Sequence, residues 1–534
     1  MTTGIETTDS GVCDLKSYLG GRWVGGSGQG HELVNPVNGA AVARCSTGGM
    51  DLAAALTFAR RYGGPTLRAL SFKARAGLLA AIADALAARR ERWFEIAKVN
   101  SGNTKADAAI DIDGAIGTIR YFSRLGAGLG ESRILAEGSP ARLARDANFQ
   151  GLHVGVPVKG VAVHINAYNF PAWGLWEKAS VSLLSGVPVL AKPATATAWL
   201  AEEMVQCVVE SGILPEGAIS VACGPAYGLL ESLEFGDVVC FTGSAGTGNS
   251  IRSHPRVLSR GVRVNIEADS LNAAILGPDA EVNGAGFSFF VREVVREMTV
   301  KAGQKCTAIR RILVPASLAR PVSQAICDGL EQVIVGDPAE ASVTMGPLVN
   351  RTQKDAVEEG IRNLASESQI VFQTSPSRFV RADAENGAFV APALLLSGNE
   401  SRLSNEIEVF GPVATVIPYS GKREAFSIAE RGAGSLAASV FSTDLEFLAE
   451  AALELAPSHG RILLVDPSIG DSHTGHGIVL PSCIHGGPGR AGGGEELGGL
   501  RGLWFYHQRV AIQASVAVLS SVVQPAANVA ISGS

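Results

Sequence analysis

The sequence has no closely spaced pair of cysteines, although it contains eight cysteines among its 534 residues. The shortest separation between two of them is 16 positions (223 minus 207). No Cys-x-x-Cys element is therefore available for a structural zinc site or a redox-active disulfide. Eight cysteines in so long a chain also exclude a small disulfide-stabilised scaffold. This usage predicts reduced thiols and a cytoplasmic protein.

An excess of basic residues is lacking too, because 45 Lys and Arg are outnumbered by 51 Asp and Glu and the formal net charge is −6. A general nucleic-acid binder needs a basic face, so no nucleic-acid partner is expected. The N-terminal segment lacks the basic-then-apolar order of a signal peptide. The longest uncharged stretch, 510–534, contains several polar residues and a proline. A membrane helix needs about 20 mainly apolar residues, so we expect a soluble protein without a membrane partner.

Two catalytic signatures are also missing. No H-x-x-x-H pair is present, and no metal site is predicted. No G-x-S-x-G element is present, which argues against a serine hydrolase and favours a catalytic base other than histidine. Glycine, in contrast, is abundant: 63 of 534 residues, or about 12%, against a usual value of about 7%. This abundance indicates tight turns, or backbone that approaches a ligand closely.

Two series of alternating strands and helices are predicted, one from about residue 155 and one from Asn272. Alternation at this spacing is typical of β-α-β units, so we predict an α/β fold with parallel sheets covered on both faces. The predicted strands are 160–165, 187–192, 218–223, 237–243, 273–277, 310–316 and 415–420, with a further strand from 503. The predicted helices are 51–61, 73–98, 173–184, 198–210 and 287–300. The glycine-rich stretch 479–500 is predicted to be an ordered loop.

A run of small residues from Gly243 to Gly248 follows one of these strands. Small residues at a strand-to-helix junction let a phosphate approach the backbone N–H groups of a helix N-terminus. The spacing is G-x-x-G-x-G, which is neither the Rossmann fingerprint nor a Walker loop. An ordinary glycine-rich turn therefore remains an alternative.

Cys306 and Glu267 are the candidate nucleophile and base. Cys306 follows a predicted helix and lies near Lys301 and Lys305, which could favour its thiolate. Glu267 ends a predicted strand, and α/β proteins build their ligand sites at the carboxyl ends of parallel strands. A packed thiol and a surface acid are the alternative interpretations of these two residues.

Asn169 and Lys192 follow or end other predicted strands. The amide of Asn169 could donate a hydrogen bond to a developing oxyanion. The ammonium of Lys192 could bind a sugar hydroxyl or a phosphate at the edge of the sheet. Each could also be a capping or solvated residue.

In this order, the motifs resemble those of the aldehyde dehydrogenase superfamily. The motifs are Asn169-Phe-Pro, Lys192-Pro-Ala, Phe241-Thr-Gly-Ser, the acid Glu267, Gly303-Gln-Lys-Cys and Glu408-Val-Phe-Gly-Pro. The resemblance covers almost the whole chain. It implies a Rossmann-like cofactor domain (1–134 and 154–271), an α/β catalytic domain (272–475) and a β oligomerisation arm with the C-terminal segment (135–153 and 476–534). Such an arm implies a homodimer or a dimer of dimers.

The resemblance also implies a role for each motif residue. Cys306 would be the nucleophile and Glu267 the general base, and Asn169 would form the oxyanion hole together with the backbone N–H of Cys306. Lys178 matches a lysine that lies near the base in the family. The residues implied to bind the cofactor are Lys192, Ala194, Thr195, Gly243, Ser244, Glu408 and Phe410. The implied reaction is attack of a thiolate on an aldehyde, hydride transfer to a nicotinamide, and hydrolysis of the resulting thioester.

Two positions depart from the family pattern. Ala268-Asp269-Ser270 follows the acid, where most members have Leu-Gly-Gly, so we expect an altered loop shape there. Thr195 replaces the glutamate that is common in members preferring NAD. A carboxylate would repel the 2′-phosphate of NADP, whereas a threonine can donate a hydrogen bond to it. The substitution predicts NADP as the cofactor, with NAD used less well.

The segments 266–272 and 485–502 resemble one group within the family, the semialdehyde dehydrogenases that process coenzyme A-linked ring-cleavage products in benzoate degradation. This resemblance implies that 3,4-dehydroadipyl-CoA semialdehyde is oxidised to its acid. A broader enzyme for medium- or long-chain aliphatic aldehydes is one alternative. A catalytically inert structural or binding homologue is another, against which the intact Cys306, Glu267 and Asn169 argue.

Overall fold

A seven-stranded sheet with dinucleotide-binding topology organises the first part of the chain. The computed structural model describes residues 12–523 and 526–529. Across this sheet the strands lie in the order Arg263–Glu267, Val238–Thr242, Ala162–Ile165, Val189–Lys192, Ile219–Val221, Ser17–Leu19 and Arg22–Val24. The first five are parallel and, numbered along the chain, lie in the order 5-4-1-2-3. This order confirms the predicted Rossmann-like sheet.

The strand order reverses between Ala162–Ile165 and Val238–Thr242. In open α/β sheets a crevice forms at such a reversal, outside the carboxyl ends of the strands, and ligands bind there. Both faces of the sheet are covered by apolar side chains, since Val163 and Val239 belong to one buried cluster and Ala162 and Val238 to another. This burial explains why the strands read as continuous apolar runs rather than alternating ones.

A second seven-stranded sheet follows in the chain. Its strands lie in the order Ser368–Gln373, Ala393–Ser397, Val413–Tyr419, Arg311–Pro315, Ala273–Leu276, Ser435–Phe441 and His459–Val465. All neighbouring strands are parallel except the first pair. The sheet confirms the second α/β series.

A third, four-stranded sheet consists of His507–Ser515, Phe149–Pro157, Ile134–Arg142 and Ala526–Val529. The strand predicted from residue 503 was placed too early, because Leu500–Phe505 is a helix and the strand begins at His507. Leu503 is fully buried in the core of the cofactor-binding sheet, and this tertiary packing outweighs its local β-propensity. The assignment of domains and of an oligomerisation arm stays a prediction.

Helices cover the sheets. The helix predicted over 287–300 runs from Ala285 to Thr299, and two other predicted helices differ more. The stretch predicted as one helix over 73–98 forms two helices that meet at Arg89, and the stretch 51–61 ends in a π-helical turn. The helices are Leu52–Phe58, Gly64–Ala69, Phe72–Ala88, Arg90–Ser101, Lys105–Gly128, Trp173–Leu184, Ala198–Glu210, Ala245–Arg252, Pro255–Arg260, Ala285–Thr299, Ala319–Glu331, Arg351–Ala365, Lys422–Glu430, Leu445–Leu455, Leu500–Phe505 and Val516–Val523. Within the described part of the chain, none of them combines the length and apolarity that a membrane crossing requires.

Short strands complete the fold. The N-terminal part contributes Cys13–Asp14, His31–Val34 and Ala41–Cys45. The glycine-rich stretch predicted as a loop contains a small hairpin, Ile484–Gly486 with Glu495–Leu497. This hairpin lies beside the strand that carries Glu267, since the backbone N–H of Gly494 donates to the carbonyl of Ile266 over 3.1 Å.

Candidate active site

Glu267 is the last residue of the edge strand of the cofactor-binding sheet. Its main chain is fixed by the sheet, since its carbonyl accepts a hydrogen bond from the N–H of Gly243 over 3.1 Å. Its side chain is only 2% exposed. The structure therefore excludes the surface-acid interpretation of Glu267.

Cys306 lies in a strained loop after the helix Ala285–Thr299. Lys301, Ala302 and Gly303 have φ values of 54°, 52° and 68°, a left-handed conformation that costs non-glycine residues free energy. A Cβ atom at Gly303 would lie 2.2 Å from the carbonyl oxygen of Gly411. Glycine is needed there both for its conformation and for the space.

Two buried side chains hold the carbonyl groups of this loop. Arg310 donates to the carbonyls of Gly303 over 2.9 Å and Lys305 over 3.2 Å. Asn272 donates to the carbonyl of Cys306 over 2.8 Å. Because buried carbonyls need partners, these bonds define the shape of the loop that presents Cys306.

The structure brings Glu267, Cys306 and His485 together. One atom from each (a carboxylate oxygen, the sulfur and an imidazole nitrogen) lies within 4.8 Å of the other two. The Nε2 atom of His485 is 3.1 Å from Oε1 of Glu267 and 4.0 Å from Sγ of Cys306. Sequence reasoning missed His485, because it has no spaced histidine partner and lies in the glycine-rich tract. Zinc takes these same donor types, and the absence of a metal site stays a prediction.

Lys178 lies among three buried carboxylates. Its ammonium contacts Glu177 and lies 2.9 Å from Oε2 of Glu496. Oxygen atoms of Glu177, Glu267 and Glu496 lie within 4.8 Å of one another. Lys178 therefore lies in the buried charge cluster that includes Glu267. Glu177 and Glu496 are members of this cluster that sequence reasoning did not identify.

This cluster decides which carboxyl group is ionised. Burial alone would raise the pKa of Glu267, but the contact with His485 and the charge of Lys178 outweigh it and lower that pKa to about 2. For Glu177 burial dominates, and it raises the pKa well above the ordinary value despite the neighbouring Lys178. Glu267 is therefore a carboxylate at neutral pH, whereas burial favours the protonated form of Glu177.

The neighbouring charge has the opposite effect on the nucleophile. Burial, and then the charge of Glu267, raise the pKa of Cys306 well above the ordinary value. The expectation that Lys301 and Lys305 favour the thiolate is wrong. The ammonium of Lys305 lies 2.8 and 2.7 Å from the two carboxylate oxygens of Glu297. Lys301 lies over the ring of Phe170, 4.5 Å from its centroid.

Lys301 also lies near buried acids. The charges of Asp111 and Asp107 act on its ammonium, and the backbone N–H of Lys301 donates to Asp107 over 2.7 Å. Lys305 thus serves a buried ion pair behind the loop, and Lys301 lies near two acids there. Cys306 is a thiol at rest, and a base must remove its proton.

Asn169 lies beside the same loop. Its Nδ2 donates to the carbonyl of Gln304 over 3.0 Å, and the side chain is buried. An amide nitrogen has two hydrogens to donate, so this bond leaves the second for another acceptor. Asn169 is therefore oriented by the loop that carries Cys306.

Gly243 and Ser244 lie at the junction between the strand Val238–Thr242 and the helix Ala245–Arg252. Ser244 caps this helix by accepting from the N–H of Thr247 over 3.3 Å. Asp269 accepts from the N–H of Ala245 over 2.9 Å. The departure Ala268-Asp269-Ser270 thus gives the helix N-terminus a carboxylate partner from the loop after Glu267.

Lys192, Ala194 and Thr195 follow one another at the carboxyl edge of the sheet. Lys192 ends its strand, and Thr195 begins the short helical turn Thr195–Thr197. Burial lowers the pKa of the Lys192 ammonium. All three residues are partly exposed, so a ligand can reach them from the crevice.

Glu408 and Phe410 approach the crevice from the second sheet. Glu408 accepts from the N–H of Ser270 over 3.3 Å and lies 3.8 Å from the guanidinium of Arg310. Burial raises the pKa of Glu408 to about 7. The ring of Phe410 packs edge-on against Tyr168, with 6.0 Å between their centroids.

Buried polar atoms around the crevice test whether a dinucleotide fits. The side-chain nitrogen and oxygen of Asn166, Oγ1 of Thr242 and Oε1 of Glu408 have no hydrogen-bond partner among the described residues. Asn166 and Thr242 lie at the carboxyl ends of the two strands between which the order reverses. Since buried polar groups are normally paired, ribose hydroxyls and phosphates would complete these contacts. The residues present fit a nicotinamide dinucleotide.

A Rossmann-like sheet whose carboxyl edge faces a partly buried thiol, a carboxylate and an amide is typical of one class of protein, the cofactor-dependent enzymes with a reactive cysteine. The model of the Aldehyde dehydrogenase family matches residues 23–490. The chain belongs to the aldehyde dehydrogenase family, whose members are oxidoreductases that use NAD or NADP. This membership confirms the family expected from the sequence motifs.

Curated relatives and solved structures agree with this assignment. The chain is 52% identical over 477 residues to a 3,4-dehydroadipyl-CoA semialdehyde dehydrogenase of Aromatoleum evansii, covering 89% of this chain and 93% of the relative. It is 29% identical to a geranial dehydrogenase of Castellaniella defragrans, covering 80% and 86%. Betaine aldehyde dehydrogenase of Staphylococcus aureus, solved in complex with NAD+, has a TM-score of 0.80 at 23% identity and covers 94% of each chain. This last likeness confirms the fold.

The charge of Glu267 predicts a change in thiol reactivity. Replacing Glu267 by Gln removes the negative charge beside Cys306, so the pKa of Cys306 should fall. A fall of one pKa unit increases the thiolate fraction tenfold at a pH below the pKa. We expect the rate of alkylation of Cys306 by iodoacetamide at pH 7 to rise on the order of tenfold. The exposed Cys483, followed by peptide mass spectrometry in the same samples, is the internal control. An unchanged or slower rate at Cys306 would contradict this electrostatic account.

Proposed function

We propose that the protein oxidises a coenzyme A-linked semialdehyde, 3,4-dehydroadipyl-CoA semialdehyde, to the carboxylic acid with NADP. The observation that carries the chemistry is the buried, ionised Glu267 beside the neutral thiol of Cys306. The substrate class is supported by the 52% identity to a relative of that name across 89% of the chain.

The first half-reaction begins with removal of the Cys306 proton. Glu267 is the nearest carboxylate, and accepting the proton leaves a thiolate that forms a carbon–sulfur bond to the aldehyde carbon. The carbonyl oxygen becomes an oxyanion, to which the amide of Asn169 and the N–H of Cys306 donate. When the carbonyl re-forms, the former aldehyde hydrogen leaves with its electron pair. The bound nicotinamide supplies the hydride acceptor, and Cys306 keeps the acyl group as a thioester.

The second half-reaction needs a base again. Glu267 releases the first proton to solvent, becomes a carboxylate and takes a proton from water as the water attacks the thioester carbon. The carbon–sulfur bond then breaks, which releases the acid, and the leaving thiolate of Cys306 takes the second proton back from Glu267. Because Glu267 is ionised over the physiological range, it is ready for this step without further activation.

Cofactor binding uses the side chains around the crevice. Lys192 and Thr195 would hold the adenosine ribose and its 2′-phosphate, with Ala194 between them in the chain. Gly243 and Ser244 would meet the pyrophosphate. Glu408, whose Oε1 has no hydrogen-bond partner within residues 12–523, would bind the nicotinamide ribose beside Phe410.

Removing each catalytic group should stop the reaction at a different point. Cys306→Ala removes the attacking atom, so aldehyde-dependent reduction of NADP should fall at least 1,000-fold, on the order seen when a covalent nucleophile is lost. Glu267→Gln removes this base but also lowers the pKa of Cys306, so the thiolate can form by loss of its proton to water. This variant should still reduce about one equivalent of cofactor and then stall, because the thioester is not hydrolysed. Stopped-flow absorbance of the reduced cofactor measures both. Cys327→Ser, at a distant helix, is the matched control. Turnover surviving in Cys306→Ala would remove that residue from the mechanism.

Thr195 generates a prediction about cofactor choice. Thr195→Glu places a carboxylate where the 2′-phosphate of NADP is expected, and juxtaposed like charges cost several kcal/mol. We expect the KM for NADP to rise on the order of tenfold or more while the KM for NAD changes little. Thr195→Gln, similar in size but neutral, is the matched control and should retain NADP. Equal effects of the two variants would show that size rather than charge is responsible.

The substrate class is tested by comparing aldehydes. The proposal predicts that kcat/KM for 3,4-dehydroadipyl-CoA semialdehyde exceeds that for hexanal and decanal by on the order of 100-fold, equivalent to about 2.7 kcal/mol of added transition-state binding. Initial rates of NADP reduction with each aldehyde measure the ratio. Comparable values for decanal would favour the alternative, a broad enzyme for aliphatic aldehydes. No reduction with any aldehyde would favour the inert homologue.

A further inference from the structure

His485 reaches the site because glycines let its hairpin pack against the strand that carries Glu267. A Cβ atom at Gly492 or Gly494 would lie 2.3 or 2.4 Å from the carbonyl oxygen of Ile266. The N–H of Ala268 donates to the carbonyl of Ala491 over 2.9 Å. Larger residues at the two glycines would push the hairpin away. The glycine-rich tract therefore serves close packing at this edge, in addition to its turns.

The register of the hairpin aims two side chains at the site. His485 is paired with Glu496 across the two strands, and directly paired residues share a face of the hairpin. Glu496 meets Lys178 over 2.9 Å, and His485 meets Glu267 over 3.1 Å. The imidazole is 1% exposed and packs edge-on against Trp173. A short hairpin thus supplies two polar groups to the same buried cluster.

The geometry distinguishes this arrangement from a hydrolytic triad. In such a triad the imidazole uses one nitrogen for the acid and the other for the nucleophile. Here the same atom, Nε2, lies nearest to both Glu267 and Cys306. A carboxylate has only lone pairs to offer, so a bare nitrogen 3.1 Å away would be repelled. A hydrogen on Nε2 makes this contact attractive at ion-pair distance, and such a nitrogen has no lone pair with which to accept the proton of Cys306.

We infer that His485 is a positioning residue that holds Glu267 ionised and directed at Cys306. The inference rests on the proposed function, in which Glu267 is the base. His485 touches neither the aldehyde carbon nor the hydride in this role, and it acts through Glu267 alone.

Other charged groups also face Glu267, and some of them act in the same direction as His485. Lys178 favours the ionised form of Glu267, whereas Glu177 and Glu496 share that same ammonium. Arg461, on the strand His459–Val465 of the second sheet, also interacts electrostatically with Glu267. The thiol of Cys306 lies on the remaining side. Without His485, burial would favour the protonated form of Glu267. The charge of Lys178 would oppose this effect, but Glu177 and Glu496 share that charge.

Loss of His485 should change how turnover depends on pH. Burial raises the pKa of Glu267, and His485 is the first of the groups that lower it. Loss of His485 should raise that pKa into the assay range. The variant should then lose turnover as the pH falls through its new pKa, because protonated Glu267 cannot activate water. Turnover should return at higher pH.

Two substitutions separate the hydrogen of Nε2 from the bulk of the ring. His485→Phe keeps an aromatic ring against Trp173 but removes the donor, and His485→Gln keeps an N–H at a similar distance along the side chain. With NADP and an aldehyde, His485→Phe should reduce one equivalent of cofactor and then turn over at least tenfold more slowly than wild type at pH 6. The deficit should shrink to about threefold or less at pH 9. His485→Gln should remain within about threefold of wild type throughout.

Two results of that assay would overturn the inference. The first is a loss of turnover at acid pH that has the same midpoint in His485→Phe and wild type. The second is an equal loss of turnover in the Phe and Gln variants. If wild-type protein oxidises no aldehyde, the proposed function fails. The positioning role is still tested in that case, because alkylation of Cys306 needs no turnover.

Alkylation by iodoacetamide at pH 7 therefore provides the second measurement. If His485 keeps Glu267 ionised, His485→Phe should alkylate at Cys306 faster than wild type and approach the rate of Glu267→Gln. The double variant should be no faster than Glu267→Gln alone. A rate in His485→Phe equal to or below the wild-type rate would overturn the inference. Unchanged thermal unfolding of each variant confirms that the fold is intact.

Discussion

A negative charge buried beside a neutral thiol is the constraint on which the active site depends. Transfer of a carboxylate out of water is costly unless other groups pair with it. Glu267 is 2% exposed, and it remains ionised because Lys178 and His485 lie close enough to outweigh burial. The same charge keeps Cys306 protonated. In the proposed mechanism, base and nucleophile are thus held in the states from which one proton transfer starts the chemistry.

The fold satisfies this constraint by joining three distant pieces of the chain at one edge. The parallel sheet supplies Glu267 from the end of a strand. A strained loop, tied down by Arg310 and Asn272, supplies Cys306. The glycine-rich hairpin supplies His485 and Glu496. Main-chain hydrogen bonds join the hairpin to the strand that carries Glu267, so the side chains meet with little freedom to move apart.

Much of the fold and part of the candidate site could be predicted from the sequence. Parallel strands buried on both faces appear as apolar runs, and the helix Trp173–Leu184 was predicted with its observed limits. Glu267 and Cys306 stood out because each carries chemistry at the end of an element. The prediction that Lys301 and Lys305 favour the thiolate was wrong. Nearness in sequence does not reveal that Lys305 pairs with Glu297 or that Asp107 and Asp111 lie near Lys301. His485 was missed because its role depends on glycines that pack against Ile266, a contact no local pattern encodes.

The protonation state of Glu267 is the most direct test of this account. Infrared difference spectra between wild-type protein and Glu267→Gln, recorded from pH 5 to pH 8, isolate the carboxyl group of this side chain. The account predicts the antisymmetric stretch of a carboxylate over the whole range. A carbonyl band of a protonated acid at neutral pH would contradict it, because the site would then hold neither a stored base nor the charge that keeps Cys306 protonated.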